Sequence, residues 1–392
     1  MINKISSCGR ITTEVKWPLV KLNEACSLNM GQSPDSSGYN DEGKGLPFYQ
    51  GNADFGTLTP VTRLFCNNPT KIAHAGDILL SVRAPIGAVN IANQTCCIGR
   101  GLAALTAYRD VDVKFLYYAI KSKHGEFNAK GTGSTFKAIN KKALYETRIP
   151  LPALAEQKNI ANILDNVSNL ISLCKKQIMQ LDLLVKSRFI EMFGDPVTNP
   201  KGWESGTIRD IASEVKYGTS SPATEGGKHI YLRMNNITYD GHLDLSNLKY
   251  IDLPDDQLAK YQVQKGDVLF NRTNSKELVG KTCVFKEDIP MVIAGYIIRV
   301  RVNARANPEY LSAILNSKYG KRTLLDMCKA IVGQANINAQ ELQNIDILIP
   351  PISLQNEFAT FIEELDKSKF TIRKSLEKLE TLYRALLQEY FG

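Results

Sequence analysis

Two stretches of the chain repeat apolar side chains at heptad spacing. In the first, Ile160, Val167, Cys174 and Leu181 form one row and Ile163, Leu170 and Leu184 the next, while Leu164, Ile171, Ile178 and Val185 widen the stripe. The second reads Phe358, Leu365, Ile372, Leu379 and Leu386, beside Phe361 and Leu382, with Ile362, Leu376 and Tyr383 alongside. Pro150 and Pro152, and Pro350 and Pro351, are tolerated only outside a helix or in its first turn, so they mark both starts. Gly194 and the two prolines of "FGDPVTNPKGW" end the first helix. The pattern predicts two helices of about 35 residues, each roughly 50 Å long at 1.5 Å per residue. Burying one leucine is worth about 1.5–3 kcal/mol, so neither stripe can stay wet. Either each helix packs into its own domain's core or the two pack on each other; their length and repetition favour the second arrangement.

The two helical phrases are copies. "LPALAEQKNIANILDNV", residues 151–167, lies under "LIPPISLQNEFATFIEELD", residues 348–366, at a shift of 198 that pairs Pro152 with Pro350, Gln157 with Gln355 and Leu164 with Ile362. The same shift matches "AINKKAL" to "NINAQEL". Upstream, "FLYYAIKSKHG" meets "YLSAILNSKYG" at 195, "GDILL" meets "GDVLF" at 190, and Trp17 meets Trp203 at 186. Loop insertions account for the drift. The chain is thus one unit of nearly 200 residues written twice, a globular body followed by a long helix, and two copies are too few for a solenoid.

The bodies alternate short β-rich runs ("GDILLSV", "YIIRVRV", "DILIPP") with short helical ones ("VKFLYYAIKSK", "PEYLSAILNSKYG"), which predicts α/β or α+β domains. The organisation is therefore a body at 1–150, a helix at 151–195, a body at 196–346 and a helix at 347–392. At 392 residues and 43% hydrophobic, the chain is long enough for more than one core. No run of apolar residues is long enough to span a membrane, and no secretory signal opens the sequence, so a cytoplasmic location is expected. Net charge is +8, and its surplus lies in the first body, where residues 1–150 carry 18 basic against 11 acidic side chains. That is a mild invitation to nucleic acid. Eight cysteines, without a C-x-x-C pair, read as reduced apolar side chains, and four scattered histidines offer no metal site.

Candidate chemistry is sparse. "SKELVGKT" at 275–282 resembles a phosphate-binding Walker A loop but has Ser275 in place of its first glycine. "GRG" at 99–101 and "GTGS" at 131–134 lack dinucleotide-binding spacing. No methyltransferase tetrapeptide of the N/D-P-P-Y/F type and no nuclease carboxylate-lysine set is present. No catalytic residue is assigned.

The loops carry side chains suited to DNA. An arginine follows the shared Gly-Asp turn in each copy, Arg83 in "GDILLSVRAPIG" and Arg272 in "GDVLFNRTNSKELVG", the latter beside Asn274 and Lys276. A guanidinium can bond the two acceptors of guanine or a phosphate bidentately; a lone surface arginine can equally be a solvated side chain. Before the repeated Ile-Asn the copies diverge, with Lys130, Ser134, Thr135 and Lys137 in "KGTGSTFKAIN" against Gln334 and Asn336 in "KAIVGQANIN". Amides can read adenine and lysines can hold phosphates, although divergent tips on matched flanks are also what neutral drift produces. Weaker candidates are Tyr39, Asn40 and Lys44 in "SSGYNDEGKG" and Arg233, Asn235 and Asn236 in "LRMNNIT".

Taken together, the two-fold repeat, "PLPALAEQKNIANIL" with its counterpart "PPISLQNEFATFI", and the linker "FIEMFGDPVTNPKGW" resemble the specificity subunit of type I restriction-modification systems over essentially the whole chain. The resemblance implies a pseudo-two-fold tandem of two α/β (α+β) target recognition domains, joined by a pair of long antiparallel helices that form a coiled coil. Each domain would read one half of a bipartite site in double-stranded DNA, and the helices would set the gap. Two methyltransferase subunits would clasp the chain and methylate adenine with S-adenosylmethionine, and two restriction subunits can add ATP- and Mg-dependent action; this chain itself would hold no cofactor. Two other readings stay open on the residues alone. A self-contained DNA methyltransferase or nuclease would bind cofactor or cut DNA unaided, and a helical scaffold without DNA reading would show no salt-dependent DNA binding.

Overall fold

The computed structural model describes residues 17–132, 137–328 and 334–392. It divides into two compact units, one of residues 1–175 with 374–392 and one of residues 176–373. Unit boundaries fall inside the long helices, at 175/176 and 373/374, and not at the ends of the helices.

In the first unit, an antiparallel sheet runs, among the described residues, in the order Cys26–Met30, Leu102–Ala107, Ile78–Ser81, Val89–Ile91. A second, mixed sheet carries Tyr39–Asn40 at one edge, then Leu64–Cys66, Leu46–Tyr49, Cys96–Ile98 and Ile72–Ala73. The second unit repeats the first order with Ala212–Tyr217, Ile297–Val302, Val268–Asn271 and Thr282–Val284, and, among the described residues without a counterpart of the edge strand Tyr39–Asn40, the second order with Lys249–Ile251, His229–Leu232, Met291–Ile293 and Gln262–Val263. Even the single parallel pairing of the mixed sheet recurs, Phe48 against Cys97 in one copy and Tyr231 against Val292 in the other. The "GDILL" and "GDVLF" runs are buried central strands, which explains their unbroken apolar character.

The short helices start where the sequence supplies caps. Asp112 accepts a hydrogen bond from Phe115 N at 2.9 Å, and Asn307 one from Glu309 N at 2.9 Å with Pro308 in the first turn. The repeated Ile-Asn has the same logic. Ile139 and Ile337 are buried, while Asn140 and Asn338 cap the helices Lys141–Tyr145 and Ala339–Gln343.

The long helices are Leu154–Phe193 and Ile352–Phe391, 40 residues each, longer than the heptad rows alone imply because both run on through an aromatic end. In the first unit, Ile160, Ala161 and Leu164 share a core with Phe115, Leu116 and Phe391, and Tyr383, Leu386 and Tyr390 close over it. In the second, Phe189, Phe193, Tyr310 and Phe358 form an aromatic cluster whose five ring pairs have centres 4.8–5.9 Å apart, mostly tilted or edge-on. The ion pairs Arg188–Glu357 at 3.1 Å and Asp182–Lys369 at 2.6 Å show that the two helices run antiparallel there.

Gln157 and Gln355 anchor the helix starts. The Gln157 amide accepts from Asp112 N (2.8 Å) and donates to the carbonyls of Pro152 (2.8 Å) and Asp110 (3.2 Å). Gln355 makes the same set with Asn307 N (2.8 Å), Pro350 O (2.8 Å) and Arg305 O (3.0 Å). Each glutamine is buried and satisfied through both ends of its amide.

The heptad reading needs one correction. Ile160, Val167 and Phe358 are buried, and Ile163, Leu181, Phe361, Leu365, Ile372 and Leu379 are half-buried, but Leu170, Leu184 and Leu382 are 45–48% exposed. Two paired helices cover a narrow seam, and these three leucines fall on its margin.

Candidate nucleic-acid interface

In the first unit the loop after the strand Ile78–Ser81 is stitched to the segment before Ile139. Ile139 N donates to Val82 O at 2.9 Å and Ala84 N to Lys137 O at 3.1 Å, while Arg83 and Thr132 both bridge to Ala138. Buried Ser81 Oγ lies 3.0 Å from Arg83 O and 2.9 Å from Pro85 O, which fixes the turn. The backbones of Arg83 and Lys137, 54 apart in sequence, therefore run side by side, and both side chains are exposed. Ser134 and Thr135, candidates on the same loop, lie outside the described residues. Lys130 is not a free phosphate clamp, because its ammonium is held by Glu126 at 2.6 Å and Thr147 at 3.2 Å.

The second unit makes the corresponding bridge with a difference. Thr273 pairs with Asn336 and Asn274 with Ala335, and Ile337 N donates to Arg272 O at 2.8 Å. Arg272 thus occupies the place of Val82, and Thr273 that of Arg83. The two arginines are not counterparts: they are offset by one residue in extended backbone, where neighbouring side chains point to opposite faces. Arg83 is exposed, whereas the half-buried Arg272 guanidinium lies 4.8 Å over the Tyr217 ring, in cation–π range. Tyr217 Oη in turn accepts from Ala339 N at 2.7 Å. Gln334 and Asn336 are exposed; Asn336 Oδ1 accepts from Thr273 Oγ1 at 3.1 Å, and Asn274 Oδ1 accepts from Ser275 N. Lys276 is half-buried.

The weaker candidates are mostly structural. Tyr39 packs on Phe48 at 4.6 Å and donates to Pro34 O. The Asn40 amide closes its own loop onto the backbone of Lys44, whose ammonium pairs with Glu42 at 2.6 Å. Asn236 is buried and spends its amide on Arg233 N, Asp244 O and Asn247 O. Arg233 also donates to Asn247 O, leaving Asn235 as the exposed member of that trio. Short polar side chains favour such local bonds to turn backbone. The lysine of the Walker-like phrase, Lys281, is buried and donates to Met234 O at 2.6 Å, a bond that ties down this same turn.

Sequence reasoning missed two cation–π pairs of the second unit, Arg272 with Tyr217 in the cluster above and Lys321 with Tyr239. Tyr217 ends a strand just before Gly218, where a Cβ would lie 2.2 Å from Ile293 O; an aromatic followed by an obligatory glycine was the available signal. Lys321 sits 4.8 Å over the Tyr239 ring, and burial pushes its ammonium down to about 8.

Among the described residues no group of His, Cys, Asp and Glu side chains is placed to hold a metal ion, and no helix is long and apolar enough to cross a membrane. Cys96 and Cys97 are buried, and burial raises the Cys96 thiol to about 12.

Comparison with known proteins places this architecture. The model of the type I restriction modification DNA specificity domain matches twice, over residues 14–183 and 200–381. The putative type I restriction enzyme MjaX specificity subunit of Methanocaldococcus jannaschii is 44% identical over 182 residues, covering 46% of this chain and 42% of that protein, so the match spans less than half of that relative. The type I restriction enzyme EcoBI specificity subunit of Escherichia coli is 22% identical over 98% of this chain and 87% of its own length. Among solved structures, the S subunit of a type I restriction-modification system from M. genitalium shares the fold, with a TM-score of 0.61 at 19% identity and 98% of both chains covered. With both copies matched, the chain belongs to the type I restriction-modification DNA specificity family, as a specificity subunit rather than an enzyme.

Proposed function

We propose that the chain reads a bipartite site in double-stranded DNA, one half through each unit, and recruits two adenine methyltransferase subunits, with restriction subunits able to join them. S-adenosylmethionine, ATP and Mg belong to those partners, and the complex works in the cytoplasm. The observation that carries this reading is the duplication itself: each unit repeats the same core strand orders and the same anchored helix start, yet presents different residues on the corresponding loops, Arg83 and Lys137 in one and Arg272 under Tyr217, with Gln334 and Asn336, in the other. A shared scaffold with divergent tips suits two different half-sites. Recruitment is supported by apolar side chains that the helices leave in solvent, Leu170, Leu173 and Leu382 in the first unit and Met179, Leu183 and Phe370 in the second. A partner that covered these side chains would remove their apolar area from water.

Mapping methylated adenines in cells with and without the chain tests the reading, with a bipartite motif expected to vanish when the chain is absent. Inserting one heptad after Lys175 and another after Arg373 lengthens both helices by about 10 Å, so the required gap should grow by about 3 base pairs. An unchanged motif in that variant would sink the role of the helices as a spacer.

The two exposed basic residues of the first unit make separate predictions. Arg83→Ala should weaken binding to the mapped site by about 1–3 kcal/mol and relax preference at one base, while Lys137→Ala should weaken all sequences alike and lower the salt slope by about 1. Fluorescence titrations at several salt concentrations distinguish the two, and identical, sequence-independent losses would remove Arg83 as a base reader.

A further inference from the structure

In each unit a tight turn leads from the mixed sheet into the antiparallel one. Residues 99–102 make it in the first unit, between Cys96–Ile98 and Leu102–Ala107, and residues 294–297 in the second, between Met291–Ile293 and Ile297–Val302. Both turns close through the same bond, Leu102 N to Gly99 O at 3.0 Å and Ile297 N to Ala294 O at 2.8 Å. Both hang on the neighbouring strand as well, with Gly99 N donating to Tyr49 O at 2.8 Å and Ala294 N to Leu232 O at 2.9 Å. A glycine packs against each. Gly31 N donates to Leu102 O and Gly218 N to Ile297 O, and a Cβ on either glycine would lie 2.2 Å from a carbonyl oxygen, that of Gly99 in the first unit and that of Ile293 in the second. The backbone of the turn is thus fixed in the same way in both copies.

What differs is the tip. Its two central residues are Arg100 and Gly101 in the first unit and Gly295 and Tyr296 in the second. Arg100 is exposed, and Tyr296 is 53% exposed. Each tip adjoins the candidate loop of its own unit, because Val82 N donates to Gly101 O and Arg272 N to Tyr296 O, both at 2.9 Å. Arg83 and Arg100 therefore flank one backbone hydrogen bond from opposite segments, and among the described residues neither is in an ion pair. A fixed backbone that presents one free side chain suits a position-specific contact, since little further ordering is needed when a partner binds.

We infer, on the DNA reading proposed above, that this turn is a further reading tip in each unit, with Arg100 contacting a guanine in one half-site and Tyr296 a thymine in the other. Guanine offers two acceptors to a guanidinium, and the thymine methyl offers an apolar contact to a ring. The framework is common to both units, and the tip residue sets the base.

The test titrates the full chain with a duplex carrying the motif mapped from methylation, with duplexes replaced at one base pair at a time, and with a scrambled duplex. Arg100→Ala and Tyr296→Ala should each weaken the mapped duplex about 5- to 150-fold and abolish discrimination at one base pair, a G·C pair for Arg100 in one half and an A·T pair for Tyr296 in the other. Arg100→Met, which keeps the length of the side chain without its donors, should repeat the Arg100→Ala result. Thermal midpoints should stay at that of the unaltered chain, as for other exposed positions. Discrimination left intact in these variants, while the unaltered chain still prefers the mapped duplex, overturns the tips and leaves the DNA reading standing. No preference for the mapped duplex in the unaltered chain overturns both. Equal losses on the mapped and scrambled duplexes make Arg100 a phosphate contact and overturn its base role, and relaxation of the same half-site by both variants overturns the division of one tip to each half.

Discussion

Phe193→Ala should destabilise the second unit by about 3–5 kcal/mol, the usual loss when a fully buried phenylalanine is truncated. Phe193 is 1% exposed, with ring centres of Phe189, Tyr310 and Phe358 at 5.1, 4.8 and 5.3 Å. These rings come from both long helices and from the helix Pro308–Asn316, so one truncation loosens three elements at once. A typical domain is stable by only about 5–15 kcal/mol, and the variant should therefore unfold at much lower denaturant. Both long helices continue from one unit into the other, so probes placed in each unit should both report the loss, with the larger shift in the second. A shift below about 1 kcal/mol would show that the cluster relaxes around the missing ring.

Gln355→Leu should cost about 3 kcal/mol in the same assay, although it keeps the volume and adds apolar surface. The loss comes from the unpaired backbone. Asn307 N–H and the carbonyls of Pro350 and Arg305 would each lose a buried partner, at about 1–3 kcal/mol for an unsatisfied group where no water enters. Gln157→Leu should act equally on the first unit, through Asp112, Pro152 and Asp110. Gln355→Glu gives a second readout. An ionised carboxylate can accept from Asn307 but faces two carbonyl oxygens; once protonated, it can donate to one of them. Its pKa is thereby raised on folding, so the variant should regain stability as pH falls through that raised value and lose it as pH rises. A pH-independent deficit would argue that packing alone, and not the amide's two-ended bonding, holds the helix start.

Much of this fold is legible in the residues because it is written twice. Heptad rows and flanking prolines give the long helices, and shared phrases such as Gly-Asp and Ile-Asn give strand entries and helix caps at matching places. Less legible is how the chain is partitioned. A helix pattern shows an apolar face but not which part of the face each partner covers, so the unit boundaries inside both helices and the exposed Leu170, Leu184 and Leu382 emerge only in three dimensions. The interface residues are legible least. Arg83 and Arg272 share a phrase yet differ by one residue in register, which sends one side chain to solvent and the other under Tyr217. Asn40 and Asn236 have the composition of base readers and the bonding of turn residues.

The split of the first unit also sets an order of events during synthesis. The second unit is one continuous stretch and has all its residues once Arg373 leaves the ribosome. The first unit, though translated earlier, still lacks Tyr383, Leu386, Tyr390 and Phe391, which close over Ile160, Leu164 and Phe115. Domains fold as their residues become available. In this chain the unit translated first is therefore the last to be completed, and its core stays open to chaperones or misfolding until the final turns of the second long helix arrive.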